Sequence, residues 1–232
     1  MTIVSQTIAF DQGGLRFEAQ ASWDDAIGGP RPLVLVAPSF MGRTPFEDDK
    51  AAQLAALGYV GFSVDIYGVD VKPTNAEEAS AAMAVLNEDR GLLKDRMFAS
   101  LKIARELEQV DDAKAAAIGF CFGGKCVLDL ARGGAEVLGV AAFHGVYDAP
   151  PFANAEMTAK VLMLHGWDDP LCPPEAVLAL ATELTEAKVD WQIHAYGHTV
   201  HAFTNPKRPE MYSPVVDARS WRLMQDFLTE IF

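Results

Sequence analysis

The segment Gly119-Phe120-Cys121-Phe122-Gly123-Gly124 sets a cysteine between closely spaced glycines. It stands where a short apolar run, Ala115 to Gly119, gives way to a helical stretch, Phe122 to Arg132. This is the pattern Gly-x-Ser-x-Gly with sulfur in place of oxygen. A sharp strand-to-helix turn drives the central side chain out of a sheet, and small neighbours let the backbones approach. The helix N-terminus beside the sulfur offers unpaired N–H groups and the positive end of a dipole, the setting in which thiols become nucleophiles. A thiol also needs a base, and the base needs an orienting acid. In this kind of site the chain order is nucleophile, acid, histidine. Asp169, after the run that ends at His165, and His201, after the run that ends at Tyr196, supply that order. Taken singly, Asp169-Pro170 reads as a turn initiator and His201 as a loop histidine. The conjunction of three residues in order, each following a strand, points to acyl transfer through sulfur.

Those three residues must be carried by something. Thr2 to Phe10 and Leu15 to Trp23 alternate apolar with polar residues around Asp11-Gln12-Gly13-Gly14, which predicts a hairpin. From residue 33 onward the pattern changes to short apolar runs alternating with helical segments. Strands are predicted at 33–37, 59–64, 115–119, 137–143, 160–165 and 189–196. Thr44-Pro45-Phe46-Glu47 is a capping box with proline at the first helical position, and it opens a helix ending at Gly58. Thr74-x-x-Glu77 opens a second helix, and 88–108, 122–132, 173–187 and 213–232 are the others. Alternating strands and helices require crossover connections, hence a mostly parallel sheet covered on both faces, with ligands at the carboxyl ends of the strands. The fold class is therefore α/β, with an N-terminal antiparallel hairpin and a single domain over 1–232.

Composition narrows the function classes. Half of the 232 residues are apolar and 22% are charged, the balance of a globular protein. Lys and Arg number 19 against 32 Asp and Glu, a net charge of −13. Such a chain repels polyphosphates and anionic membrane surfaces, so neither nucleic acid nor membrane is an expected partner. No run reaches the roughly 18 apolar residues of a membrane span, and the first residues lack the features of a signal peptide. A cytoplasmic location is expected, where three cysteines are not structural disulfides. The five histidines and three cysteines show no metal-ligand spacing. No metal and no cofactor is expected.

The chain resembles the dienelactone hydrolase family of α/β-hydrolases. The resemblance rests on Gly-Phe-Cys-Phe-Gly-Gly at 119–124, His-Gly-Trp-Asp-Asp-Pro at 165–170 and Tyr-Gly-His-Thr-Val-His-Ala-Phe at 196–203, with Asp65-Ile66-Tyr67 and Ser220-Trp221 in support. It covers nearly the whole chain. It implies the α/β-hydrolase fold and a small-molecule ester or lactone substrate, opened by a Cys-His-Asp triad through a thioester. Carried over by position, Cys121 is the nucleophile, His201 the base and Asp169 the orienter. Asp168 is the rival for the last role, but the family spacing from His165-Gly166 favours Asp169. Ser39 falls where the family pattern has a glutamate against the resting thiol. The adjoining Phe40 and Phe122 would give their backbone N–H groups to an oxyanion hole.

Further residues are candidates for contact with substrate. They are Ser39, His144 at a strand end beside the cysteine turn, Trp167, and Arg43, Arg90 and Arg96 for a substrate carboxylate. His165 is expected to hold the Asp169 loop, His198 to be solvated, and Cys126 and Cys172 to be packing residues. Monomer and small homo-oligomer are both compatible with the sequence. Two other functions stay open at this point: a thioesterase using the same residues, and a non-hydrolytic thiol protein, redox or ligand-binding, on the same fold.

Overall fold

A computed structural model describes all 232 residues. The strands form an eight-stranded sheet in the order β1-β2-β4-β3-β5-β6-β7-β8. The chain clusters into two compact units, residues 1–117 and 118–232, which divide within strand β5.

The first unit opens with β1 (Ile3–Gln12) and β2 (Leu15–Asp24), paired antiparallel from Ile3 opposite Asp24 to Gln12 opposite Leu15. Only Gly13 and Gly14 turn the chain, both at positive φ, the two-residue hairpin turn that glycine permits. β1 therefore runs two residues further into the expected turn, while β2 begins at Leu15 as expected. β3 (Arg31–Ala37) and β4 (Val60–Ser63) pair in parallel, and β2 pairs antiparallel with β4. Leu33 to Ala37 are fully buried, as a strand covered on both faces requires.

Helix α1 (Pro45–Ala56) begins with the predicted capping box: the Thr44 side chain accepts from Phe46 N, and Glu47 accepts from Thr44 N at 2.9 Å. Helix α2 (Ala76–Glu88) departs from prediction by one residue. Its cap is Asn75, whose side chain accepts from Glu78 N, while Glu78 reaches back to Thr74 N at 2.7 Å. Asparagine caps as well as threonine does, so both positions satisfied the same rule. Helix α3 (Arg90–Arg105) is capped by Asp89 and is shorter than the predicted 88–108. β5 (Val110–Phe120) begins five residues before its apolar run, through the largely exposed residues 111–114 that show no strand pattern in the sequence.

In the second unit the end of β5 turns directly into helix α4 (Phe122–Arg132), followed by β6 (Gly139–Phe143), β7 (Lys160–Gly166), helix α5 (Pro174–Glu186), β8 (Trp191–Tyr196) and helix α6 (Pro214–Ile231). β6, β7 and β8 pair in parallel. β6 is wholly buried and β7 nearly so, whereas the last strand of the order, β8, is half-exposed. Helix α4 packs on β6, and α6 on β6 and β7. No helix is long and apolar enough to cross a membrane.

Candidate active site

Cys121 occupies the single residue between β5 and α4, with φ 56° and ψ −116°. Such a conformation costs a non-glycine residue on the order of 1–3 kcal/mol and persists only where the surroundings enforce it. Two close approaches enforce it here. A Cβ on Gly119 would lie 2.0 Å from the Gly123 carbonyl oxygen, and one on Gly124 would lie 2.6 Å from Gly145 Cα. The glycines of the motif are thus the condition for the turn, and they leave the Cys121 side chain part-exposed. Phe122 is the first residue of α4, so its N–H has no partner within the helix.

His201 and Asp169 lie on the loops after β8 and β7. The His201 Nδ1 is 2.7 Å from Asp169 Oδ2, and both residues are almost fully buried. The other Asp169 oxygen accepts Leu171 N at 2.9 Å, which fixes the carboxylate plane. Asp168 has its side chain half-exposed, 3.9 Å from the solvated His198. Of the two adjacent acids, geometry pairs His201 with Asp169. On the far side of the ring, Nε2 is buried and makes no hydrogen bond, and Cys121 is among the groups that act on the His201 imidazole. Burial alone would push the His201 pKa down. The Asp169 hydrogen bond and the Cys121 sulfur outweigh it and raise the pKa to about 9. Together the two neighbours favour a positive charge on His201.

His144, a sequence candidate for substrate contact, is 2% exposed and hydrogen-bonded at both ring nitrogens. It sits just after β6 at φ 38°. Its Nδ1 accepts the Cys121 backbone N–H at 3.2 Å, and its Nε2 lies 2.8 Å from Thr204 Oγ1. Its ring meets the His201 ring edge-on at 5.1 Å. Burial first, and then the neighbouring His201, hold its pKa well below the ordinary value, so it is neutral. Thr204 carries no sequence signal beyond its place three residues after His201.

His165 is fully buried beside Tyr147 and Trp167, and neither of its ring nitrogens has a hydrogen-bond partner. It therefore packs behind the Asp169 loop and does not tether it by hydrogen bonds. Cys126 and Cys172 are buried and form no disulfide. Burial raises the Cys172 pKa to about 12, so it is inert. Trp167 is 45% exposed directly after β7.

The remaining candidates belong to the first unit. Arg43 is spent: it holds Asp48 through two nitrogens at 2.8 and 3.0 Å, Glu18 O at 2.9 Å and Gln20 Oε1 at 3.0 Å. A substrate carboxylate there would have to displace Asp48. Arg96 is buried, donates to Ile66 O at 2.8 Å and lies over the Phe17 ring. Arg90 is buried at the start of α3. The Phe40 carbonyl accepts the Tyr67 hydroxyl at 2.9 Å. The Ser39 N–H donates to Glu47 Oε1 at 3.3 Å. Glu47 is itself buried, and desolvation raises its pKa against the Thr44 hydrogen bonds. The sequence marks Glu47 only as a helix cap, and nothing in it announces the link to Ser39. No three of the histidine, cysteine and acidic side chains converge as a metal ligand set.

Comparison with known proteins agrees with this architecture. A protein from metagenomic libraries, described as a dienelactone hydrolase-like promiscuous phosphotriesterase, has a solved structure that superposes with a TM-score of 0.94 at 33% identity, covering 100% of both chains. A carboxymethylenebutenolidase of Pseudomonas sp. (strain P51) is 27% identical over 92% of each sequence. A Bradyrhizobium sp. protein named as a 2-oxo-3-(5-oxofuran-2-ylidene)propanoate lactonase is 26% identical over 94% of this chain and 93% of its own. The sequence profile of the dienelactone hydrolase family matches residues 18–232, and the chain belongs to that family of α/β-fold ester and lactone hydrolases.

Proposed function

We propose that the chain hydrolyses small carboxylic esters or lactones through a thioester on Cys121, with His201 as proton carrier and Asp169 as its orienting partner. The observation that carries this reading is the buried 2.7 Å contact of His201 Nδ1 with Asp169, on an imidazole that a cysteine held at positive φ also influences.

The raised His201 pKa supports a definite sequence of proton movements. In the reacting state the proton is on His201 Nε2 and the nucleophile is the thiolate, the form in which sulfur attacks. The sulfur attacks the carbonyl carbon, and the Phe122 N–H at the α4 terminus stabilises the oxyanion. The second donor expected from the sequence, Phe40 N–H, rests on the family resemblance alone. Collapse of the tetrahedral adduct breaks the C–O bond, and His201 Nε2 gives its proton to the leaving alkoxide. Once the sulfur is acylated, one of the two influences that raised the His201 pKa is gone. The neutral imidazole then takes a proton from water, hydroxide adds to the thioester, and C–S cleavage restores the ion pair. Asp169 holds Nδ1 throughout and fixes the tautomer.

The test is a panel of aryl ester, enol-lactone and acyl thioester substrates with the parent and Cys121→Ala. Turnover of an ester or lactone that is lost in Cys121→Ala supports the reading. Turnover of the thioester alone would make the chain a thioesterase. A phosphotriester belongs on the same panel, because the metagenomic relative is described as acting on that class.

A further inference from the structure

We infer that His144 and Thr204 form a positioning bridge that holds the Cys121 turn and the His201 loop in register, a role that rests on the reading of Cys121 and His201 given above. One ring nitrogen of His144 accepts the Cys121 N–H, which Phe143 O also accepts at 3.0 Å. An acceptor at Nδ1 requires the proton to sit on Nε2, which then donates to Thr204 Oγ1. A single imidazole thus ties the backbone of the sulfur-bearing turn to a side chain three residues beyond His201.

Both ends of the bridge hold segments that need holding. Cys121, His144 and Ala202 all have positive φ without being glycine. Four of the five such residues in the chain, these three and His198, lie just beyond the carboxyl ends of β5, β6 and β8. The His144 backbone is itself anchored, since its N–H donates to Leu164 O at 2.8 Å. Its ring is packed edge-on against His201 at 5.1 Å and Phe203 at 4.9 Å, so little freedom remains. The charged and titratable groups that act on it are His201 and His165. A charge on His144 would face the charged His201 and would remove the acceptor at Nδ1. Burial prevents both. The bridge is polar, and burial together with its acceptor role at Nδ1 favours the neutral ring.

His144 is buried with both ring nitrogens committed to the bridge, so its loss should misplace the reacting atoms without changing substrate binding. A displacement of about 1 Å in such a site costs up to roughly 100-fold in rate. The experiment compares His144→Leu, Thr204→Val and Thr204→Ser, together with the double variant His144→Leu/Thr204→Val. It measures kcat and KM on a small aryl ester and the rate of Cys121 carbamidomethylation, all well below each melting temperature. Expected are kcat losses of about 10–100-fold for His144→Leu and about 10-fold for Thr204→Val, with KM within about threefold of the parent. Alkylation slows in parallel. Thr204→Ser, which keeps the hydroxyl, restores kcat to within about threefold of the parent, and the double variant is no worse than His144→Leu because one device is removed twice. Parent-like kcat in Thr204→Val, or additive losses in the double variant, overturns the bridge. Should His144→Leu fail to fold, the Thr204 pair decides the matter alone. Cys121→Ala is assayed alongside: parent-level turnover there overturns the thioester reading itself, while an inactive Cys121→Ala with a parent-like Thr204→Val overturns only the bridge.

Discussion

Gly119 and Gly123 touch through their backbones: there is no room for a methyl group between the Cα of the first and the carbonyl oxygen of the second. This contact closes the turn that lifts Cys121 out of the sheet. Gly119→Ala must push α4 away from β5 or abandon the turn, because backbone cannot yield as a flexible side chain would. The expected outcome is a loss of several degrees in melting temperature and of nearly all activity, read by thermal unfolding and ester hydrolysis. A folded, active Gly119→Ala protein would mean that the turn is looser than described.

Asp169 and Asp168 are neighbours with unequal surroundings. Asp169→Asn should reduce kcat by about 10²–10⁴-fold, since His201 loses both its oriented tautomer and a compensating charge. Asp168→Asn should stay within about threefold of the parent, because its half-exposed carboxylate meets only solvated His198. Steady-state kinetics on one ester decides the ranking.

The raised His201 pKa links activity to stability. A histidine at 6.5 in the unfolded chain and at about 9 in the folded one stabilises the fold fully below pH 6.5, and that contribution is lost as pH rises through about 9. Melting temperature should therefore fall between those limits in the parent and fall less in His201→Gln. Equal slopes in the two proteins would show that His201 is not held charged.

Arg43 was a candidate for a substrate carboxylate, but its guanidinium is committed to Asp48, Glu18 O and Gln20. Arg43→Gln should lower the melting temperature while changing KM for an anionic ester no more than for its neutral analogue. A selective rise in KM for the anionic ester would return Arg43 to the binding site.

The fold was legible where one local rule decided each element. Buried strands such as 33–37 announce themselves by unbroken apolar runs, the Gly13-Gly14 turn by paired glycines, and α1 by its capping box. Asp111, Asp112 and Lys114 conceal the start of β5, because pairing with a neighbour can hold a polar strand that no pattern betrays. The candidates Cys121, Asp169 and His201 could be singled out because the family motif fixes their types and spacing. His144 and Thr204 were not readable as a pair. Their contact spans 60 residues, joins two loops, and leaves no periodicity in the chain.

The account depends most on Cys121 forming a covalent acyl intermediate. The direct measurement is mass spectrometry of the protein quenched in acid within the first turnovers of an activated aryl ester. A mass gain of one acyl group, mapped to the peptide containing Cys121 and absent from Cys121→Ala, is the predicted result. Turnover at the parent rate by Cys121→Ala, with no acyl adduct on either protein, would contradict it.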